Sequence, residues 1–334
     1  MQRIAVLGAG SWGTALAVHL ASCGHDVRLW ARSPALAADL ERRRANVVYL
    51  ADVMLPAGVT PTPALPEALE SASLAIVAVP SHGLRSVMRS VASVLAPSTV
   101  VVSATKGLEV DTLQRMSEVI GGELGADHPV VVLSGPSFAY EVARGRPTAV
   151  CVASTNATSV ALVQHEFRSR SLRLYATDDV VGVEIGGALK NVIAIAAGVV
   201  ESLGLGHNAL AALITRGLAE ISRLACTAGG RPETLAGLSG LGDLILTCTG
   251  HHSRNRHLGM ELGRGRPLDE ILAGMKMVAE GVNSAGAALL LGERLDVELP
   301  IAAQMHAVLA GRKAPGEAAE ELMLRRQRSE PEGR

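Results

Sequence analysis

A single lysine interrupts the most apolar stretch of the chain. Lys190 stands among isoleucine, leucine and alanine, with Gly186 and Gly187 four and three positions earlier, on the same face of a predicted helix. Burial lowers the pKa of an ammonium group, which would let this amine exchange a proton with an alcohol or carbonyl oxygen near neutral pH. Lys190 is therefore the candidate catalytic residue. The alternative is a helix lysine whose amine reaches solvent.

Polar residues further along the chain could complete an anion site around that amine. Ser253 can cap a helix whose first turn contains Arg254, where the helix dipole disfavours a cation unless an anion binds there. The helix N–H groups, the hydroxyl, the guanidinium and the amide of Asn255 would together bind a phosphate. Asp243 ends a glycine-rich loop and could cap a short helix or pair with a nearby lysine.

A glycine-rich motif near the N-terminus predicts a nucleotide site. Residues 8–13 read Gly-Ala-Gly-Ser-Trp-Gly between a predicted strand and a predicted helix, which is the context that the dinucleotide-binding fingerprint requires. Gly8 would permit the tight turn, Gly10 the approach of a pyrophosphate, and Gly13 close packing of the helix on the strand. The alternative is a glycine turn without a ligand.

Two basic residues follow other predicted strands. A site for NAD usually has an acidic residue at the end of the second strand, but this chain has Arg32 there. A guanidinium suits the 2′-phosphate of NADP, so we predict that NADP(H) is accepted at least as well as NAD(H); a solvated surface arginine is the alternative. Lys106 follows a later strand, where it could contact a phosphate or a carbonyl or could simply be solvated.

The elements that must position these residues form an α/β pattern. Short apolar runs alternate with helical stretches, which predicts a Rossmann-like, mainly parallel sheet with helices on both faces. The predicted strands are Arg3–Gly8, Asp26–Trp30, Leu74–Val79, Thr99–Ser103, Val130–Ser134, Thr148–Ala153 and Leu172–Ala176. We expect the last two to be antiparallel additions. Later residues are spaced as in helices, so we predict a dinucleotide-binding domain over 1–180, an all-α domain over 181–325 and a frayed tail over 326–334.

Composition narrows the classes of partner. The 31 basic residues nearly balance 32 acidic ones, and aromatic residues are rare, which argues against nucleic acid as a partner. The four cysteines are far apart, as in a cytoplasmic protein with reduced thiols. Charged residues interrupt the apolar stretch after Val181, so we expect no membrane anchor. His251, His252 and His257 lack the cysteine pairs of a zinc site, so we expect no metal.

Several motifs resemble the bacterial-type NAD(P)-dependent glycerol-3-phosphate dehydrogenases almost from end to end. The matching segments are Gly8-Ala9-Gly10-Ser11-Trp12-Gly13-Thr14, Thr105-Lys106-Gly107-Leu108-Glu109, Ser134-Gly135-Pro136-Ser137-Phe138, Gly187-Ala188-Leu189-Lys190-Asn191, Ser239-Gly240-Leu241-Gly242-Asp243-Leu244, Ser253-Arg254-Asn255 and Glu280-Gly281-Val282. Ser202 and Leu210 depart from the family pattern, which usually has glycine and often has arginine there.

The resemblance implies NAD(P)H-dependent reduction of dihydroxyacetone phosphate to sn-glycerol 3-phosphate for phospholipid synthesis, with Lys190 as proton donor and acceptor. The substrate contacts that it implies are Lys106, Gly135, Ser137, Lys190, Asp243, Ser253, Arg254 and Asn255. The implied cofactor contacts are Ser11, Trp12, Arg32, Lys106, Ala139, Arg254, Val278 and Glu280, in addition to the glycines of the nucleotide loop. Val278 and Glu280 rest on the resemblance alone.

Two other functions are compatible with parts of the sequence. A 3-hydroxyacid or phosphogluconate-type dehydrogenase also joins a dinucleotide domain to lysine-bearing helices, but it requires an asparagine four residues after the lysine, where this chain has Ala194. A non-catalytic NADPH-binding redox sensor would not need Lys190 and Asp243 together. The alanine-rich helices could pack a homodimer, or they could equally pack only the domain core.

Overall fold

The computed structural model describes residues 1–125, 128–275 and 279–327. The strands are β1 (Arg3–Leu7), β2 (Asp26–Trp30), β3 (Ala45–Asn46), β4 (Leu50–Met54), β5 (Val59–Thr62), β6 (Leu74–Val77), β7 (Val100–Ser103), β8 (Val130–Ser134), β9 (Thr148–Ala153) and β10 (Leu172–Thr177). The helices among them are α1 (Ser11–Ser22), α2 (Pro34–Arg43), α3 (Leu65–Leu69), α4 (Ser81–Ala92), α5 (Met116–Leu124), α6 (Ala139–Ala143) and α7 (Ala157–Glu166).

Beyond β10 the described residues contain helices and no further strand. These helices are α8 (Val180–Ser202), α9 (Gly206–Thr227), α10 (Pro232–Ala236), α11 (Asp243–Thr249), α12 (Arg254–Gly263), α13 (Leu268–Gly274), α14 (Gly281–Arg294), α15 (Pro300–Leu309) and α16 (Pro315–Leu324), with a π-helical turn at Leu238–Gly242. Most of the predicted tail, residues 328–334, lies outside the described part of the chain.

The main sheet has eight strands in the order β10-β9-β8-β7-β6-β1-β2-β5. Neighbouring strands from β5 to β8 are parallel, β9 is antiparallel to β8, and β10 is parallel to β9. The predicted fold class is therefore confirmed, and β9 and β10 are the antiparallel additions that the sequence led us to expect.

Both faces of this sheet are buried, which explains the continuous apolar runs. In β1, Ile4 and Val6 pack into one core cluster with α1 and α7, whereas Ala5 and Leu7 pack into another with α3, α4 and α5. Successive side chains of a strand point to opposite faces, so a strand covered on both sides must be apolar at every position.

The strands between residues 45 and 62 were not predicted from the sequence. β3 and β4 form a separate antiparallel hairpin, and β5 extends the main sheet at its edge. These strands are short, and β5 contains Pro61, which is tolerated at a sheet edge but weakens the strand signal. The buried Asn46 amide fastens the hairpin to the nucleotide loop, donating to the Ala9 carbonyl at 3.0 Å and to the Thr14 hydroxyl at 2.8 Å.

The long helix α8 forms the centre of the helical half. It is the one helix of the described residues that is long and apolar enough to cross a membrane, but 89% of its most apolar 18-residue stretch is buried inside the protein. It packs against α9, α11, α12 and α14. α8 is therefore a core helix, and its position in the core brings Lys190 next to residues of α11 and α12.

Two glycines allow α8 and α12 to cross backbone against backbone. A Cβ atom at Gly198 would lie 2.0 Å from the Arg256 carbonyl oxygen, and one at Gly259 would lie 1.9 Å from the Ile195 carbonyl oxygen. No side chain can give way at such contacts, because the obstructing atoms are main-chain atoms. This crossing fixes the body of α12 against α8.

We predict that Gly259→Ala will lower the free energy of unfolding by about 1–3 kcal/mol or more, because it forces the two helices apart. Gly121→Ala is the matched control: Gly121 also lies inside a helix, but a Cβ there would meet nothing within 4 Å. It should be neutral or stabilising by about 0.5–1 kcal/mol. Urea unfolding of both variants measures the difference, and equal stability would contradict the close crossing.

Candidate active site

A cleft of about 660 Å³ runs along the carboxyl ends of the parallel strands. On the sheet side it is lined by loops that follow β1, β2, β6 and β7, and on the other side by Lys190, Asn191 and the start of α12. Ligands of open α/β sheets bind at this edge. The volume is within the usual range for small-molecule sites.

The nucleotide loop has the geometry that its glycines predict. Gly8 has φ +116°, and a Cβ there would lie 2.6 Å from the Ala78 carbonyl oxygen. A Cβ at Gly13 would lie 1.8 Å from the Gly8 carbonyl oxygen, so helix and strand pack without side chains between them. A Cβ at Gly10 would meet no atom within 4 Å, which leaves room for a ligand. No side chain caps α1, so N–H groups at its start, beside Ser11 and Trp12, are free for a pyrophosphate.

Arg32 lies at the far end of the cleft, exposed and beside the start of α2. Ser33 caps that helix, accepting a hydrogen bond from the Leu36 N–H at 3.3 Å. A guanidinium, a serine and a helix N-terminus at one place favour a bound phosphate. The contact of Arg32 with the 2′-phosphate of NADP stays a prediction.

Lys190 and Lys106 share one carboxylate at the other end of the cleft. The Lys190 amine donates to Asp243 Oδ1 at 2.5 Å and to the Thr247 hydroxyl at 2.8 Å. The Lys106 amine donates to Asp243 Oδ2 at 2.5 Å and to the Gly135 carbonyl at 3.2 Å. Asp243 is the first residue of α11, and its carboxylate pairs with lysines rather than capping the helix. The lysine-pairing alternative is therefore the one that the structure adopts.

Burial lowers the pKa of Lys190 to about 8. Desolvation of the ammonium is the largest cause, the Asp243 carboxylate opposes it by raising the pKa, and the neighbouring Lys106 charge adds to the lowering. The side chain is only 9% exposed. A pKa near neutrality lets the amine both hold and release a proton under ordinary conditions.

Gly186 and Gly187 allow two other segments to pack closely against α8 next to Lys190. A Cβ at Gly186 would lie 2.9 Å from the Ser239 carbonyl oxygen, and one at Gly187 would lie 2.8 Å from the Ser134 hydroxyl and 3.7 Å from the Lys106 stem. These glycines therefore allow the end of β8 and the π-helical turn to approach α8 closely.

The start of α12 forms the wall of the cleft next to Lys190. Ser253 caps the helix, with its hydroxyl accepting from the Arg256 N–H at 3.2 Å, and Arg254 is exposed to the cleft. The Asn255 amide links three helices, donating to Asn191 Oδ1 at 3.0 Å and accepting from the Gly281 N–H at 3.0 Å. A hydroxyl, a guanidinium and a helix N-terminus therefore face the cleft together.

The other site residues implied by the resemblance lie around the same cleft, with one outside the described residues. Ser137 donates to the Gly135 carbonyl at 2.9 Å, and Ala139 lines the cleft at the start of α6. Glu280 accepts a hydrogen bond from Ser81 at 2.8 Å, and burial raises the pKa of the Glu280 carboxyl. Val278 lies outside the described residues.

The role of Thr247 was not predicted from the sequence, and neither were the partners of Asn191 and Ser81. Thr247 had a usable signal, because it follows Asp243 by one helical turn and must share its face. The bonds of Asn191 to Asn255 and of Ser81 to Glu280 cross between distant segments, so no local pattern could reveal them. His252, considered for zinc, instead packs against Phe138 and Tyr140. No three His, Cys, Asp or Glu side chains converge as metal ligands within residues 1–125, 128–275 and 279–327.

Two family models together match nearly the whole chain. The NAD-dependent glycerol-3-phosphate dehydrogenase N-terminus matches residues 3–160, and the C-terminus of the same family matches residues 179–320. The chain belongs to the NAD-dependent glycerol-3-phosphate dehydrogenase family. This membership agrees with the resemblance found in the sequence and with the cleft just described.

Individual members of the glycerol-3-phosphate dehydrogenase family are similar over almost their full length. A glycerol-3-phosphate dehydrogenase [NAD(P)+] of Koribacter versatilis is 52% identical, with 97% of this chain and 98% of the relative covered. One of Acidobacterium capsulatum is 53% identical, with 99% and 100% covered. The crystal structure of glycerol-3-phosphate dehydrogenase from Coxiella burnetii is 39% identical, has a TM-score of 0.94, and covers 97% of this chain and 99% of its own.

We predict that Arg32→Asp will weaken NADPH binding at least about tenfold, because it removes a charge-assisted hydrogen bond worth roughly 1.5–3 kcal/mol and adds a repelling charge. Binding of NADH should change by less than about threefold. Titration of protein fluorescence with each cofactor measures both values. Arg170→Asp is the control, since Arg170 is exposed outside the cleft. Unchanged NADPH affinity in Arg32→Asp would refute the assignment.

Proposed function

We propose that this enzyme reduces dihydroxyacetone phosphate to sn-glycerol 3-phosphate with NADH or NADPH, and that the reaction is reversible. The observation that carries the proposal is the pairing of the buried Lys190 and the partly buried Lys106 with one aspartate, in the cleft that also contains the dinucleotide loop. When bound, the reduced nicotinamide supplies the hydride. The free helix N-terminus at α1, the open space at Gly10 and the guanidinium of Arg32 fit such a cofactor.

Lys190 acts as the proton donor in the reductive direction. As C2 of the substrate accepts hydride, negative charge develops on its oxygen, and the ammonium of Lys190 gives that oxygen a proton. Lys106 stabilises the developing charge as a second cation. With both amines protonated, the cluster of two lysines and one aspartate has one net positive charge, which the developing alkoxide neutralises. Asp243 and Thr247 hold the Lys190 amine in place.

The phosphate of the substrate binds at the start of α12. Ser253, Arg254 and Asn255 supply a hydroxyl, a guanidinium and helix N–H groups there, and a phosphate is favoured at a helix N-terminus. Gly135 and Ser137 line the substrate from the sheet side. In the cofactor subsite, Ser11, Trp12, Ala139, Val278 and Glu280 are the contacts carried over from the family.

The two halves of the chain contribute different parts of the site. We propose a dinucleotide-binding domain over residues 1–180 and a helical catalytic domain over 181–325, because the cofactor loop lies in the first and Lys190 in the second. We propose that the product is used as a precursor of phospholipids. We also propose that the enzyme is cytoplasmic. The homodimer stays a prediction, which light scattering after size-exclusion chromatography can test.

The first experiment follows the absorbance of reduced nicotinamide on addition of dihydroxyacetone phosphate to the full chain. Oxidation of NADH or NADPH that depends on this substrate is expected. A matched reaction with a 3-hydroxyacid or with phosphogluconate and the oxidised cofactor should remain at background. No oxidation with either cofactor would overturn the proposed function.

Lys190→Ala should lower kcat by about 10²–10⁴-fold, the contribution typical of a general acid. The affinity for NADPH should change little, because Lys190 lies at the opposite end of the cleft from Arg32. Steady-state kinetics and a cofactor titration test both statements. Lys313→Ala, at a lysine paired with Glu321 outside the cleft, should keep wild-type kcat. A variant of Lys190 with wild-type turnover would remove this residue from the mechanism.

The pH dependence of kcat should follow the protonation state of the Lys190 amine. Reduction requires its ammonium, so kcat in that direction should fall as pH rises through about 8, whereas oxidation requires the free amine and should accelerate over the same interval. Asp243→Asn removes a charge that raises the pKa of Lys190. The kcat for reduction that remains in this variant should therefore fall at a lower pH than in the wild type. An unchanged or upward-shifted midpoint in Asp243→Asn would contradict this coupling.

A further inference from the structure

The few aromatic residues of this chain are concentrated at the cleft. The sequence contains two tryptophans, three tyrosines and two phenylalanines. Five of these seven line the cleft: Trp12, Trp30, Tyr49, Phe138 and Tyr140. Trp12, Trp30 and Tyr49 lie on the nucleotide side, whereas Phe138 and Tyr140 lie opposite the helical half, where the proposed mechanism gives them no role.

Phe138 and Tyr140 contact one short loop of the helical half. The His252 ring meets the Phe138 ring edge to face, with centroids 5.7 Å apart, and it tilts against the Tyr140 ring at 5.1 Å. The Gly250 backbone lies directly under Phe138, since a Cβ at Gly250 would be 2.4 Å from Cε2 of that ring. The Arg144 guanidinium stacks on Tyr140 at 4.2 Å from the ring centroid. We call Phe138, Tyr140, Gly250 and His252 the aromatic clasp.

The clasp joins the segments that surround the proposed substrate. On one side, Phe138 and Tyr140 directly follow the loop that contains Gly135 and Ser137. On the other side, residues 250–252 connect α11, which carries Asp243 and Thr247, to the Ser253 cap of α12. A displacement of this loop would therefore change the distance between the phosphate-binding end of the site and the proton donor.

The Lys106–Asp243 ion pair and the clasp hold different ends of the same region. The ion pair fixes the start of α11 to the loop after β7. The body of α12 is fixed by its crossing with α8 at Gly198 and Gly259. Between these two fixed points the chain passes through exposed His251 and His252, and the contacts of the clasp at Gly250 and His252 hold this stretch against the sheet half.

We propose that the aromatic clasp is a positioning device, in which the His252 ring holds the Ser253 end of α12 at the distance from Lys190 that the phosphorylated substrate requires. His252 is thus a positioning residue rather than a catalytic one. The inference rests on the proposed function, because it assigns the clasp to the phosphate end of that substrate. An aromatic pair adds modest stabilisation beyond the area that it buries, so the expected effects are moderate.

The test compares three variants in the full chain by steady-state kinetics with NADPH and dihydroxyacetone phosphate. His252→Ala should raise KM for dihydroxyacetone phosphate about two- to tenfold and leave kcat within about twofold, because the rings supply orientation and no chemistry. His252→Phe should stay close to the wild type, since it keeps a flat ring. The matched control is His251→Ala, which removes an exposed neighbouring histidine with no ring contact among the described residues.

A variant at Gly250 tests the contact between this loop and the Phe138 ring. Gly250→Ala places a methyl group against the Phe138 ring and 2.7 Å from the Leu246 carbonyl oxygen, so it displaces the loop and should raise the same KM without the loss of any histidine. KM for NADPH and the midpoint of thermal unfolding should stay near wild-type values for His252→Ala, because its side chain is exposed and belongs to the helical half rather than to the nucleotide loop. These two readouts separate positioning from a general loss of structure.

The outcomes that overturn the proposal differ from those that overturn the proposed function. If wild-type enzyme oxidises NADPH but His252→Ala and His251→Ala have the same KM, the clasp has no positioning role. If His252→Phe is as impaired as His252→Ala, the imidazole contacts the phosphate directly and the ring clasp is refuted. If the wild type itself shows no activity with dihydroxyacetone phosphate, the failure lies with the proposed function.

Discussion

Burial of the Lys190 ammonium is the constraint around which the site is organised. An ion removed from water is costly unless it is paired and hydrogen-bonded, and here one carboxylate and one hydroxyl meet that need. The same Asp243 also binds Lys106, which comes from the sheet half of the chain. The pairing that makes a buried amine tolerable therefore also joins the helical half to the sheet at the point where charge develops in the proposed reaction.

The scaffold serves this arrangement through close approach of main chains. Gly198 and Gly259 bring α8 and α12 into backbone contact, and Gly187 leaves room for the Ser134 hydroxyl at the end of β8. Larger residues at these positions would force the packed segments apart, and a misplacement of about 1 Å at a reacting group can cost about 10²-fold in rate. The many small residues of the helical half thus have a functional consequence as well as a packing one.

Much of this could be predicted from the sequence because the signals are local. Three features can each be recognised from a few consecutive residues: the glycine loop between a strand and a helix, the lone lysine in an apolar helix, and the Ser253 cap. β3, β4 and β5 escaped prediction because they are short and because Pro61 weakens the last of them. The backbone crossing at Gly259 and the bond between Ser81 and Glu280 depend on tertiary contacts, which no periodicity in one chain can reveal.

The Asn46 amide that fastens the β3–β4 hairpin has a chemical consequence of its own. Both of its hydrogen bonds as a donor are used, on the Ala9 carbonyl and the Thr14 hydroxyl, and its oxygen accepts from the Tyr49 N–H at 3.2 Å. Deamidation would replace the nitrogen by an oxygen with no hydrogen to offer, and it would set a negative charge beside the pyrophosphate-binding turn. Deamidation of this one side chain would therefore release the hairpin and lower the affinity for the nucleotide, while Lys190 would stay unchanged.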